Sequence, residues 1–152
     1  MSSGASQYYI SGEEIRDHVG YEGLIEALDQ MHREDAANLS DLLLSEQDEP
    51  GVTNHFMVRA GWQRGRALGV KMASVFPGNR AGDLPAIQAS YVLFDGITGS
   101  PLAFIEGNEL TWRKTAADSA LGSLRLARAN CKTLLMVGAG AMAPHLIRAH
   151  IS

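Results

Sequence analysis

Residues 133–152 read TLLMVGAGAMAPHLIRAHIS, and their interpretation decides the fold. Residues 133–137 are apolar and β-prone, the pattern of a parallel strand covered on both faces. Gly138, Gly140 and Ala143 follow as Gly-x-Gly-x-x-Ala, and a helix starts immediately after. In a dinucleotide-binding fold the first glycine makes a tight turn and the second lets the backbone approach a diphosphate. The third small residue lets helix and strand pack closely. Gly138, Gly140, Ala141 and Met142 are therefore the candidate cofactor-binding residues. Pro144 is compatible with a helix here because it falls in the first turn, where its missing N–H has no partner. The acidic residue that would hold the adenosine ribose is expected about 20 residues beyond the glycines. It would lie past Ser152, so NAD and NADP are not told apart. The expectation is an α/β chain that carries only the first β-α unit of a Rossmann domain, at residues 129–152.

The rest of the chain bounds the function. With 152 residues, 45% of them apolar, one ordinary core is expected. Thirteen basic residues against 17 acidic ones, a net charge of -4, give no footprint for a polyanion, so nucleic acid is excluded as a partner. The single cysteine, Cys131, forms no internal disulfide and has no histidine nearby in sequence to activate it. There is no secretory leader and no run of about 18 apolar residues, so a cytoplasmic protein with no membrane contact is expected. His18, His32, His55, His145 and His150 have no metal-ligand spacing, and no metal is assigned.

Upstream, "QYYI" reads as a short strand after the polar "MSSGAS". Ser11, followed by Glu13 and Glu14, supplies a helix N-cap with acids in the first turn. Leu24, Ile25, Leu28 and Met31 recur at helical spacing and predict an amphipathic helix over about 21–37. "LSEQDEPGVTN" reads as a loop. From residue 55 the signal turns to strands: "HFMVRAGW", "ALGVKMASVF", "AIQASYVLFD" and "PLAFIEG", the last two joined by a hairpin through Asp95 to Ser100. Thr111 is placed to cap a helix over 112–128 that is rich in small side chains. Those side chains suit either close packing or a ligand at the helix N-terminus.

Taken in order and spacing, "LGVKMASVFPGN", "LPAIQASYVLFDGITGSPLAFIEGNELT", "KTAADSALGSLRLAR" and "LLMVGAGAMA" resemble the ornithine cyclodeaminase/μ-crystallin family. The resemblance runs from about residue 7 to the C-terminus. It implies homodimers of a split α/β dimerisation and substrate domain, here 7–128, followed by an NAD(P)-binding Rossmann domain. Members are roughly twice this length, so the resemblance implies a truncated N-terminal half. The family moves a hydride between nicotinamide and the α-carbon of a small amino or imino acid. "VRAGWQRG" and "RKTAADSALG" are most similar to its Δ1-pyrroline-2-carboxylate reductase-like branch. A cyclodeaminase fragment and a non-catalytic dimerising module stay open as alternatives.

Carried over by motif, Lys71 matches the family's substrate-binding lysine, able to pair with a carboxylate and assist proton transfer. Val70 and Met72 beside it point to the opposite face of the strand. The family's "T-A-x-R-T-A-A" has an arginine where this chain has Lys114, after Arg113. An ammonium offers a point charge in place of a planar fork. Thr115 matches a threonine near the cofactor. The family's additional substrate arginine has no counterpart in "NLSDLLLSEQDEPG", and Arg59 is the candidate substitute.

Overall fold

The computed structural model describes residues 8–34 and 37–152. "MSSGAS" and the end of the expected second helix lie outside the described residues. The chain divides into two compact units, one of residues 8–12 and 37–108 and one of residues 13–34 and 109–152.

The first unit is a six-stranded sheet in the order β1-β6-β5-β4-β3-β2, built from β1 (Tyr8–Ile10), β2 (Asn38–Glu49), β3 (Val52–Gln63), β4 (Ala67–Val75), β5 (Ile87–Asp95) and β6 (Pro101–Glu106). β1 joins parallel to β6, and all other pairs are antiparallel. Four strands fall where alternation and β-branched content place them. The hairpin between β5 and β6 is held by Asp95, whose carboxylate accepts from the N–H groups of Ile97 and Thr98 and from the Thr98 hydroxyl at 2.7–3.0 Å. The Thr98 bonds hold the Asp95 carboxyl below its usual range.

β2 corrects the expected loop. Residues 38–49 form a twelve-residue edge strand, in register with β3 apart from a bulge at Gln47/Glu49. Its residues are all exposed, so burial left no alternation to read; the ladder with β3 makes the strand. Only Pro50 and Gly51, the latter at φ 85°, make the turn.

The second unit is helical: α1 (Gly12–His18), α2 (Tyr21–Arg33), most of α3 (Gly107–Leu126) and α4 (Ala143–Ile151). α1 begins directly after Ser11, as its acids suggested. On α3, Ala116 and Ala120 pack with Tyr21 and Ala149, and Ala117 and Leu121 pack with Leu28. The small side chains thus serve helix-on-helix packing. Leu28 is 5% exposed and contributes about 1.5–3 kcal/mol by burial. Met31, expected on the same face, is exposed, and Tyr21 takes the buried place at the start of α2.

Two further expectations are corrected. α3 starts at Gly107, four residues before Thr111, because Glu106 at the end of β6 accepts the Asn108 N–H at 2.8 Å and satisfies the helix start from outside. Thr111 lies inside the first turns and is not the cap. Residues 133–137 are not a strand: residues 131–139 have no regular structure, and Leu135 and Val137 are 83% and 87% exposed. A parallel strand exists only with neighbours to pair with, and none of the described strands pairs with these residues.

Gly107 is where β6 meets α3, and a Cβ there would lie 2.4–2.6 Å from the Ala89 and Ser90 backbone. The obstacle is the Ala89–Ser90 peptide itself, which gives little room to relax. Gly107→Ala is expected to cost about 1–3 kcal/mol, read as a lower urea midpoint with an unchanged m-value.

Candidate functional site

Register alone assigns the faces of the sheet, because residues directly opposite in an antiparallel ladder share a face. Asp41, Arg59, Lys71, Tyr91 and Ile105 form one cross-strand row. Lys71 lies on β4, an interior strand with a ladder on each side, and is half-buried. Val70 and Met72 face away from it. The neighbouring row holds Gly61 opposite Gly69, and the Tyr91 phenol occupies the space beside Gly69, so near that a Cβ there would be 1.9 Å from the phenol oxygen. Burial raises the Tyr91 pKa, leaving a neutral phenol in the lysine's own row.

Sequence reasoning thus put Lys71 and Arg59 together, and the sheet does bring them to one face, on adjacent strands. The Arg59 guanidinium is engaged bidentately by Asp41, with both N···O distances 2.7 Å. The Arg59 hydrogen bonds lower the Asp41 pKa, and Asp41 raises that of Arg59. A substrate carboxylate would have to exchange with Asp41 to use this fork. An open depression of about 630 Å3 among Tyr9, Phe56, Met72, Gln88, Phe104 and Asn108 is on the opposite face of the sheet from Lys71, away from this chemistry.

In the helical unit, Lys114 and Thr115 lie two turns into α3, not at its N-terminus. Lys114 is ion-paired with Asp118 one turn on. The other Asp118 carboxylate oxygen is buried without a hydrogen-bond partner among the described residues. Thr115 is exposed. Gly138 has φ 103°, a left-handed conformation that glycine adopts without strain, and a Cβ at Gly138 or Gly140 would meet nothing within 4 Å. Gly140 accepts the Ala143 N–H at 3.0 Å, Pro144 sits in the first turn of α4, and Met142 offers no side-chain cap. The turn is thus open to solvent at the N-terminus of α4, which carries no side-chain cap. Among the described residues, no group of three or more His, Cys, Asp or Glu could hold a metal, and no helix is long and apolar enough to cross a membrane.

Sequence reasoning missed a second polar cluster. Glu109, 3% exposed, accepts from Arg113 Nε at 2.8 Å and from Arg16 Nη1 at 3.2 Å. Arg113 also donates to the Val19 carbonyl at 2.5 Å and lies over the Tyr21 ring at 5.1 Å. The Tyr21 hydroxyl is 2.8 Å from His145 Nδ1, and Trp112 packs on the same imidazole with ring centroids 5.3 Å apart. The four-residue spacing of Glu109 and Arg113 was a readable signal; nothing in sequence linked Tyr21 to His145.

The sheet thus carries a cross-strand row of polar side chains centred on Lys71, and a glycine turn precedes α4. The profile of the ornithine cyclodeaminase/mu-crystallin family matches residues 45–151, and the chain belongs to that family. A Δ1-pyrroline-2-carboxylate reductase of Paracoccus denitrificans is 36% identical over 97% of this chain and 45% of its own length. The iminosuccinate reductase of Paracoccus denitrificans in complex with NAD+ superposes with a TM-score of 0.76 at 28% identity, over 95% of this chain and 45% of that one. An archaeal alanine dehydrogenase dimer with bound NAD superposes with a TM-score of 0.82 at 21% identity, with the same coverage, a likeness of fold. The chain thus spans under half the length of the relatives it matches.

Proposed function

We propose that this chain provides the substrate-binding and dimer-forming part of an NAD(P)H-dependent reductase of small cyclic imino acids of the Δ1-pyrroline-2-carboxylate kind. The observation that carries this reading is the 36% identity to the Paracoccus reductase, which extends over 97% of the chain. When bound, the reduced nicotinamide supplies a hydride to the C=N carbon, and the nitrogen ends protonated. Lys71 holds the substrate carboxylate by charge and is the proton donor, its position fixed by the two ladders around β4. Arg59 adds a second cation on that face once Asp41 is displaced. Lys114 supplies a point charge where relatives have an arginine, and the Thr115 hydroxyl is assigned to the cofactor's side. The backbone N–H groups of Gly138, Gly140, Ala141 and Met142 are assigned to the cofactor diphosphate. The partner is a second copy, met through the strands of the sheet, and the setting is the cytoplasm.

The test is a chimera in which residues 1–152 replace the matching segment of the Paracoccus reductase. Nicotinamide-dependent reduction of Δ1-pyrroline-2-carboxylate is the expected result. A folded, dimeric chimera that leaves the imine unreduced would overturn the reading.

A further inference from the structure

We propose that Tyr21, Trp112 and His145 are positioning residues that clamp the first turn of α4, and with it the glycine turn at residues 138–142, onto α2 and α3. Its functional meaning rests on the proposed assignment of that turn to the cofactor; the clamp itself does not. Residues 131–139 have no regular structure, so the place of the turn is set by whatever holds α4. Met142 and Leu146 pack on the cluster of Tyr21, Ala116, Ala120 and Ala149. Apolar contact of that kind is non-directional and tolerates rotation and sliding of a helix.

His145, in the first turn of α4, adds direction. Its imidazole is hydrogen-bonded from α2 by the Tyr21 hydroxyl at 2.8 Å and packed from α3 by the Trp112 ring, tilted 36°. One bond fixes the register of the helix and one ring fixes the plane of the imidazole. The base of the clamp is itself pinned. The Tyr21 ring lies under Arg113, Arg113 is held by Glu109 and the Val19 carbonyl, and Glu109 is held from α1 by Arg16.

The charges around the imidazole favour its neutral form. Burial lowers the His145 pKa, Arg113 and Arg148 lower it further, and Glu109 opposes them. Burial raises the Tyr21 pKa, with Arg113 and Arg148 opposing and Glu109 adding to the rise. Above the ordinary histidine pKa of 6.5, Tyr21 therefore donates to an unprotonated Nδ1. Protonation would place a hydrogen on Nδ1 and a third positive charge beside Arg113 and Arg148. Because the folded-state pKa is depressed, the clamp is at full strength above 6.5 and is lost as pH falls through the folded value.

The test uses the 152-residue chain with Trp62→Phe, which leaves Trp112 as the single tryptophan of the two present. Protonated imidazole quenches adjacent indole emission. The expected titration has a midpoint below 6.5 and is absent in His145→Gln. Tyr21→Phe keeps the ring under Arg113 and removes only the hydroxyl. At neutral pH it should speed amide exchange at residues 146–150 by about five- to tenfold, the worth of one hydrogen bond. A midpoint at or above 6.5, or unchanged exchange in Tyr21→Phe, would overturn the clamp. An inactive chimera with both signatures intact would instead count against the reductase reading alone.

Discussion

Glu109→Ala is expected to lower the free energy of unfolding by about 3–5 kcal/mol, the cost of breaking a buried ion pair by removing one partner. Glu109 and Arg113 are 3% and 8% exposed, and their Nε–Oε1 contact is 2.8 Å. The deletion leaves the Arg113 guanidinium with the Val19 carbonyl and the Tyr21 ring, neither of which carries a compensating charge. Arg16 loses its partner too, but it is 53% exposed and water replaces the carboxylate there. Glu109→Gln keeps an oxygen acceptor in place and should cost clearly less than the alanine variant. Denaturant unfolding of the three proteins checks the order. An alanine variant within about 1 kcal/mol of the parent would show that the guanidinium finds water or another acceptor, and that the pair is not desolvated in solution.

That cluster also marks where the sequence stopped being readable. Strands β3 to β6 were legible because each carries β-prone residues bounded by turn signals at Gly65, the segment after Phe76, and Asp95. The hairpin chemistry of Asp95 and Thr98 is local and spans four residues. β2 was not legible, because its residues are exposed on both faces and its ladder partner is the strand that follows Pro50 and Gly51. The start of α3 was misplaced because Thr111 is a good capping residue in a position that Glu106 had already served. Propensity named the cap, and the geometry of the β6 end overruled it. Residues 133–137 have strand composition without a strand, since composition supplies no pairing partner. For the site, alternation along β4 set Val70 and Met72 opposite Lys71, but that Arg59 shares the lysine's face depends on the β3–β4 register, which neither strand encodes alone. That Asp41 occupies the Arg59 fork depends on β2, and was lost with it. The Tyr21–His145 bond joins residues 124 apart in sequence, and no local pattern encodes such a contact.

In the active chimera, Lys71→Ala is expected to reduce kcat/KM for Δ1-pyrroline-2-carboxylate by about 10²–10³-fold, with kcat falling as well as KM rising. The lysine is assigned two tasks. A carboxylate held by charge is lost in part to KM, whereas proton transfer to the nitrogen belongs to the transition state and appears in kcat. Arg59 replaces the missing charge only in part, because its two donors must first leave Asp41, which holds them at 2.7 Å. Lys114→Arg should change kcat/KM by no more than about fivefold. The position keeps a positive charge, the fork offers carboxylate geometry that an ammonium lacks, and the Asp118 pair one turn away remains available to either side chain. The contrast is the informative quantity. Both variants keep their backbone settings, since Lys71 sits in a strand paired on both sides and Lys114 on an exposed helix face. A common loss through folding would lower both and would show in their melting curves. Equal losses in two proteins that melt like the parent would mean that the substrate is gripped from α3, and that the lysine on β4 is a solvated charge on a well-ordered strand.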